Sequence, residues 1–247
     1  MRFFNADLHI HSCLSPCAEL DMTPKRIMRK AAELELDIVA IADHNSCENL
    51  EAAARAAEKT GISLVPAMEI TSSEEVHVLA LFDSLESVMR MQETIYEGMK
   101  DLEKETSGHK NKTGRPSPFD QVIVNEDDEV LGFNMRPLAG ATGLGLSRLV
   151  SAIHDLGGVA IASHAGRDSF SVMSQLGFVP EDVFFDAFEM FGPLPFPLQG
   201  QLPGVRSSDA HSLEEIGGKR TKFLLENASF KEIVLALRSA DGRKAVM

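Results

Sequence analysis

Short apolar runs bounded by polar residues alternate along the chain with stretches in which apolar residues recur every three or four positions. The runs predict strands and the periodic stretches predict helices. Phe3–His9 is the first run. Thr23 and Pro24 then open a helix with Ile27, Met28, Ala31, Ala32 and Leu34 on helical spacing. Asp37–Asp43 is apolar between polar ends, as expected of a strand buried on both faces. A second helix is predicted over Cys47–Lys59 and stopped by Gly61, followed by strands over Ile62–Glu69 and His77–Phe82. Ser84–Glu105 predicts a long amphipathic helix whose methionines between Val88 and Met99 read as core. Later come a helix at Leu149–Leu156, strands at Val159–His164, Phe184–Met190 and Val205–Asp209, and a last helix through Arg238. A Ser229…Glu232 capping box opens that helix.

Residues 106–146 interrupt the alternation. Ser107–Pro116 is polar and rich in turn formers, and its His109 reads as solvated. Val122–Val124 and Val130–Phe133 flank an acidic turn and predict a hairpin. The stretch is expected to be an insertion, either a lid or a plain surface excursion. Seven strands separated by helices predict a parallel α/β fold. A doubly wound sheet and a barrel both fit. The barrel is favoured because it brings all strand C-termini to one face. One domain over residues 1–247, with 106–146 inserted, is the expected organisation.

Composition is ordinary for a globular protein, with 44% hydrophobic and 25% charged residues. No run of about 18 apolar residues exists, so no transmembrane helix is expected. Candidate chemistry begins at Asp7, which leaves no room for a signal peptide, and a cytoplasmic location is expected. The net charge of −13 argues against an extended nucleic-acid surface and leaves room for a local site built from cations. Three cysteines do not suggest a disulfide framework. Nothing in the sequence sets the oligomeric state.

His9 and His11 are two apart, so a strand turns both to one face, with Asp7 behind them. Two imidazoles on one face can share a metal ion, and a nearby carboxylate can orient one of them. Five further stations follow: Asp43-His44, Glu69, His77, His164, and Asp209-Ala210-His211. Most sit at or just past a predicted strand end; His77, at the start of its strand, is the exception. Such nitrogen and oxygen donors suit zinc, manganese or iron. The set exceeds the needs of one ion, so two or three divalent ions are expected, with Glu69 able to bridge a pair. Closely spaced ions fit phosphoryl chemistry.

Taken in order, Asp7-Leu8-His9-Ile10-His11-Ser12, Ala42-Asp43-His44-Asn45, Glu69, His77, Ser163-His164 and Ser208-Asp209-Ala210-His211 resemble the PHP (polymerase and histidinol phosphatase) family of metal-dependent phosphoesterases. The resemblance spans nearly the whole chain apart from 106–146. It implies a distorted (β/α)7 TIM-like barrel, a three-metal centre, and hydrolysis of a phosphate ester by a metal-bound hydroxide. By position, it implies that His9, His11, Glu69 and Asp209 hold a first ion and that Glu69 and His44 hold a second. His77, His164 and His211 would serve the remaining ion or the substrate phosphate, and Asp7 and Asp43 would orient imidazoles. Family members often carry Asp or His seven or eight residues after the first His; here those places are Pro16 and Cys17. A thiolate is a good zinc ligand, so Cys17 is a candidate replacement, with an inert thiol as the alternative.

The expected substrate is a phosphorylated small molecule, a nucleotide or an oligonucleotide end. Arg167 is placed to grip its phosphate or else to be a solvated loop arginine. His211 or His164 is the candidate proton donor to the leaving oxygen. Asn45 either hydrogen-bonds in the site or caps the second helix, the cap being favoured. His154 reads as a surface side chain, and Cys13 and Cys47 as structural. Gly140–Gly145 lacks the strand-turn-helix context of a dinucleotide fingerprint. Two competing readings remain: a metal-dependent amide or ester hydrolase on a similar barrel, and a non-catalytic regulatory module stabilised by metal. The first often needs a metal-bridging lysine, and no lysine lies at a predicted strand end.

Overall fold

The computed structural model describes residues 1–106, 121–192 and 202–247. His109 and the rest of Ser107–Pro116 lie outside the described residues. Along the chain run β1 (Arg2–Ile10), α1 (Pro24–Glu33), β2 (Ile38–Ile41), α2 (Leu50–Thr60), β3 (Ser63–Leu64), β4 (Ala67–Thr71), β5 (His77–Leu81) and α3 (Leu85–Thr106). There follow β6 (Val122–Val124), β7 (Val130–Phe133), α4 (Leu146–Asp155), β8 (Val159–Ala162), α5 (Val172–Leu176), β9 (Ala187–Glu189), β10 (Gly204–Val205), β11 (Thr221–Leu225), α6 (Phe230–Leu237) and β12 (Lys244–Val246).

The fold is mixed α/β. Its main strands form two five-stranded sheets, ordered β12-β11-β1-β2-β3 and β10-β9-β8-β5-β4, with β6-β7 as a separate hairpin. Neither sheet closes on itself. Where the first two strands end, two isolated bridges appear: His44 pairs with Glu69, linking the two sheets, and Ile10 pairs with Ala210. The expectation of a wholly parallel arrangement is corrected: β5 runs antiparallel to both β4 and β8, and β11 antiparallel to β1. This reversal explains His77. Because β5 enters where its neighbours leave, its first residue lies beside Thr71 at the C-terminal end of β4.

The predicted Ile62–Glu69 strand is two strands in different sheets. The break falls at Pro66, which has no N–H to give a ladder and whose carbonyl accepts from Phe82 N. The strand expected over Val205–Asp209 stops at Val205, and the backbone turns left-handed further on, at Asp209 (φ 56°). Only half of the expected capping box forms at α6: Ser229 accepts from Glu232 N, while the Glu232 carboxylate takes Glu226 N and Arg243. β11, β12 and α5 were not anticipated.

The core lies between sheets and helices. Ile27, Met28 and Ala31 of α1, Ala53 and Ala56 of α2, and Val88, Met91, Ile95 and Met99 of α3 are buried in it with Phe82 and Phe188. Every residue of β2, β4, β5 and β8 is buried, which fixes the direction of the polar side chains at their ends.

Candidate metal centre

Six histidines and two carboxylates converge at this strand end. Each Glu69 oxygen faces imidazoles: Oε1 is 3.1 Å from His77 Nδ1 and 3.4 Å from both His9 Nε2 and His164 Nε2. Oε2 is 3.2 Å from His44 Nδ1 and 3.5 Å from His11 Nε2. Asp209 Oδ1 lies 3.3 Å from His11 Nε2 and 3.6 Å from His9 Nε2. Two donors each about 2.1 Å from one ion lie about 3.0–3.4 Å apart at octahedral or tetrahedral angles, so these separations are those of ligands around shared cations. Three groupings result: His9, His11 and Asp209; His44, Glu69 and His77; and His11, Cys17, His44 and His211.

The ring orientations are held from behind. His9 Nδ1 lies 3.0 Å from the Glu189 carboxylate, which only accepts, so Nδ1 carries the proton. Ser15 donates its hydroxyl proton to Asp43 and therefore accepts from His11 Nδ1 at 3.0 Å. His211 Nδ1 lies 2.7 Å from the Asp209 carbonyl, again an acceptor. In each ring the Nε2 lone pair is turned inward. His9 Nε2, His11 Nε2, His44 Nδ1, His164 Nδ1 and Glu69 Oε1 are buried and have no hydrogen-bond partner. Leaving such atoms unpaired is costly unless something binds them. A divalent cation fits this donor set.

Charge follows the same plan. Burial pushes the Glu69 carboxyl up, but the His77 and His9 imidazoles beside it hold it well below the usual range. Burial likewise opposes ionisation of Asp209 and Glu189, and neighbouring imidazoles, His9 foremost, hold both low. Burial pulls His9 down, while Glu189, Glu69 and Asp209 together raise it well above an ordinary histidine. His44 is kept neutral by burial and by His11, and His211 is lowered by the same two causes. Partial burial of the Cys17 sulfur, with Glu69 nearby, pushes its thiol up to about 12.

The structure brings together every residue expected to hold metal. Asp43 acts on His11 through Ser15 and also accepts from Ser12 N and Ser12 Oγ. Asp7 departs from its expected role: it touches no imidazole. Its two oxygens accept from Ser208 N and Gly217 N, fastening the loop that carries Asp209 and His211. Asn45 does not cap α2. Its amide donates to Leu138 O and Gly140 O, and its carbonyl accepts from Thr71 N. The residues after the hairpin are thereby tied to the centre's wall. Arg167 lies at the rim, its guanidinium 3.2 Å from Asp209 Oδ2. His154 is a surface partner of Asp186 at 2.8 Å, and Cys13 and Cys47 are buried.

Glu189 escaped the sequence reading. It ends the apolar strand Ala187-Phe188-Glu189, yet is 2% exposed and holds both His9 Nδ1 and His164 N. The available signal was a lone carboxylate inside an apolar run, which is tolerated only with dedicated partners. Asn45, His164 and Asp209 also adopt left-handed backbone with φ of 50°, 33° and 56°. Such strain in non-glycine residues gathers where side-chain direction matters more than local stability.

Two sheets that gather imidazoles and carboxylates at one end define an α/β protein with side-chain clusters able to hold metal. Sequence profiles match the PHP domain over residues 7–129 and the PHP-associated region over 199–241. The chain belongs to the PHP family. It is 24% identical over 191 residues to a 5'-3' exoribonuclease of Haemophilus influenzae, covering 65% of this chain and 69% of the relative. Its fold is similar to that of the lesion-specific endonuclease PfuEndoQ of Pyrococcus furiosus (TM-score 0.74, 18% identity, 99% of this chain). It is also similar to Endonuclease Q in complex with a 27-mer duplex bearing an abasic lesion (TM-score 0.72, 19% identity, 98% of this chain). The chain spans 58% of the length of each of these two structures. Among the described residues, no helix is long and apolar enough to cross a membrane.

Proposed function

We propose that this chain is a metal-dependent phosphoesterase acting on a phosphomonoester, a nucleotide or an oligonucleotide end. The observation that carries the reading is the set of buried, unpartnered nitrogen and oxygen atoms converging at ligand–ligand spacing around Glu69. His9, His11, Asp209 and Glu69 would hold one ion, and His44, His77 and Glu69 another. Cys17 with His11, His44 and His211 offers a third position, in which sulfur favours zinc or ferrous iron over magnesium. Bound divalent ions would supply Lewis acidity toward phosphoryl oxygens and neutralise the leaving oxygen.

The chain's own residues do the rest. Glu189, Ser15 and the Asp209 carbonyl hold three rings with Nε2 inward. Glu69 stays anionic and can span two ions. Arg167, drawn to the rim by Asp209, can reach a phosphate oxygen there. His211 has its Nδ1 proton committed and its basicity lowered, so its Nε2 serves better as a ligand than as an acid. That leaves His164, whose Nδ1 is unpartnered, as the better placed proton donor. The exoribonuclease relative supports including an oligonucleotide end among substrates.

The test is hydrolysis of phosphomonoesters, nucleotides and short oligonucleotides by protein loaded with Mn²⁺ or Zn²⁺. Wild type is expected to turn over at least one class, and Glu69→Gln to lose at least about 100-fold in kcat/KM by removing the shared carboxylate charge. No hydrolysis of any phosphate ester by protein with verified metal content overturns the reading.

A further inference from the structure

Next to the centre lies a pocket of about 460 Å³, lined by Asp209 and His211 together with Arg167, Phe191 and Lys219. Phe191 has no part in the metal cluster, yet it is 43% exposed. Lys219 Nζ stands 3.7 Å from its ring centroid and the Arg167 guanidinium 5.6 Å from it. A single exposed phenylalanine needs no explanation. One set between two cations, in a chain of net charge −13 and on the wall of an anionic, metal-type centre, does.

We propose that this pocket takes a nucleotide unit of the substrate, its base stacked on Phe191 and a phosphate within reach of Arg167 and Lys219. The inference rests on the phosphoesterase reading and narrows it from phosphate esters in general to nucleotides. An aromatic face accepts any base because every base has a π-face, and flanking cations track the phosphates. The lysine stem is flexible, so the ammonium can leave the ring for a phosphate while a base takes its place. A sugar phosphate would use the two cations and leave the ring bare. The volume lies within the range of small-molecule sites. Asp7 fastens two parts of this wall, through Ser208 N beside Asp209 and through Gly217 N two residues before Lys219.

The experiment titrates the zinc-loaded chain with adenosine 5′-monophosphate and with ribose 5-phosphate by calorimetry, alongside their turnover. The nucleotide is expected to bind about tenfold more tightly, toward the low end of what a stacking aromatic contributes. Phe191→Leu should abolish most of that preference and Phe191→Tyr should keep it, with circular dichroism verifying that both variants fold. Equal affinity for the two ligands in wild type, or a preference that survives in Phe191→Leu, overturns the platform and leaves the phosphoesterase reading standing. Failure of both ligands to bind also overturns the platform, whereas the phosphoesterase reading falls only if short oligonucleotides and the other phosphate esters go unhydrolysed as well.

Discussion

Glu189 decides what His9 can bind. By accepting from Nδ1 it directs the Nε2 lone pair into the centre and adds negative charge behind the ring. Glu189→Gln keeps the shape and loses that charge, so metal affinity should fall about 10- to 100-fold, the usual effect of removing a partner behind a ligand. Competition with a chelating dye measures it, and an unchanged affinity would refute the role. Cys17 makes a second claim testable in one spectrum. Cobalt-loaded wild type should show a sulfur-to-cobalt charge-transfer band, and Cys17→Ser should lose it together with about one ion per chain. A band that persists in the variant excludes Cys17 as a ligand. Asp7 gives a pH signature. Burial pushes its carboxyl up to about 6, only partly offset by the bonds from Ser208 and Gly217. The unfolded chain loses this proton near pH 4 and the folded chain near pH 6. Over that window the unfolded state holds fewer protons, and stability falls as pH rises, by about 3 kcal/mol in all. Urea denaturation of chelator-treated wild type and Asp7→Asn should show the gap between them shifting by that amount from pH 4 to pH 7. A constant gap counts against it.

At the level of elements, the strands carrying His9, His11, His44, Glu69 and His164 were readable because apolar runs with polar ends are strongly patterned. Their mutual direction was not. Nothing in His77-Val78-Leu79-Ala80-Leu81 says that β5 runs against β4 and β8. That reversal alone puts His77, an apparent misfit at a strand start, beside Glu69. β11 was unreadable for a related reason: it pairs with β1, more than 200 residues earlier, a contact that leaves little local trace, and β12 in turn pairs only with β11. The hairpin's attachment was likewise hidden. Asn49 accepts from Val124 N and donates to Val122 O, standing in for a strand partner, and Asn45 grips Leu138 and Gly140. Asn45→Gly retains the left-handed backbone and removes only the bonds, so it should destabilise by about 1–3 kcal/mol. It should also speed hydrogen exchange at the amides of Leu138, Gly140 and Thr142. Exchange there at the wild-type rate would show that the hairpin is held by other contacts.

Across the whole molecule, fold and centre are thermodynamically linked, because the donors without partners are buried in the folded chain. An ion that binds the folded chain and not the unfolded one adds stability, about 2.7 kcal/mol at a hundredfold excess over Kd. For a chain of this length that is a rise in Tm of about 5–10 °C. The proton is the ion's rival. Without metal, Glu189, Glu69 and Asp209 hold a proton on His9, so its pKa stands well above the ordinary value. A raised histidine contributes stability that is full below about pH 6.5 and disappears as pH rises through its folded-state pKa. The metal-free protein is therefore relieved by protons at low pH and left with uncompensated carboxylates at high pH. Metal must displace that proton at low pH and meets a vacant lone pair at high pH. The Tm difference between zinc-loaded and chelator-treated protein should thus be larger at pH 8.5 than at pH 6, and His9→Gln should shrink both the difference and its pH dependence. A metal-induced shift of equal size at the two pH values would mean that the proton and the ion do not compete for His9.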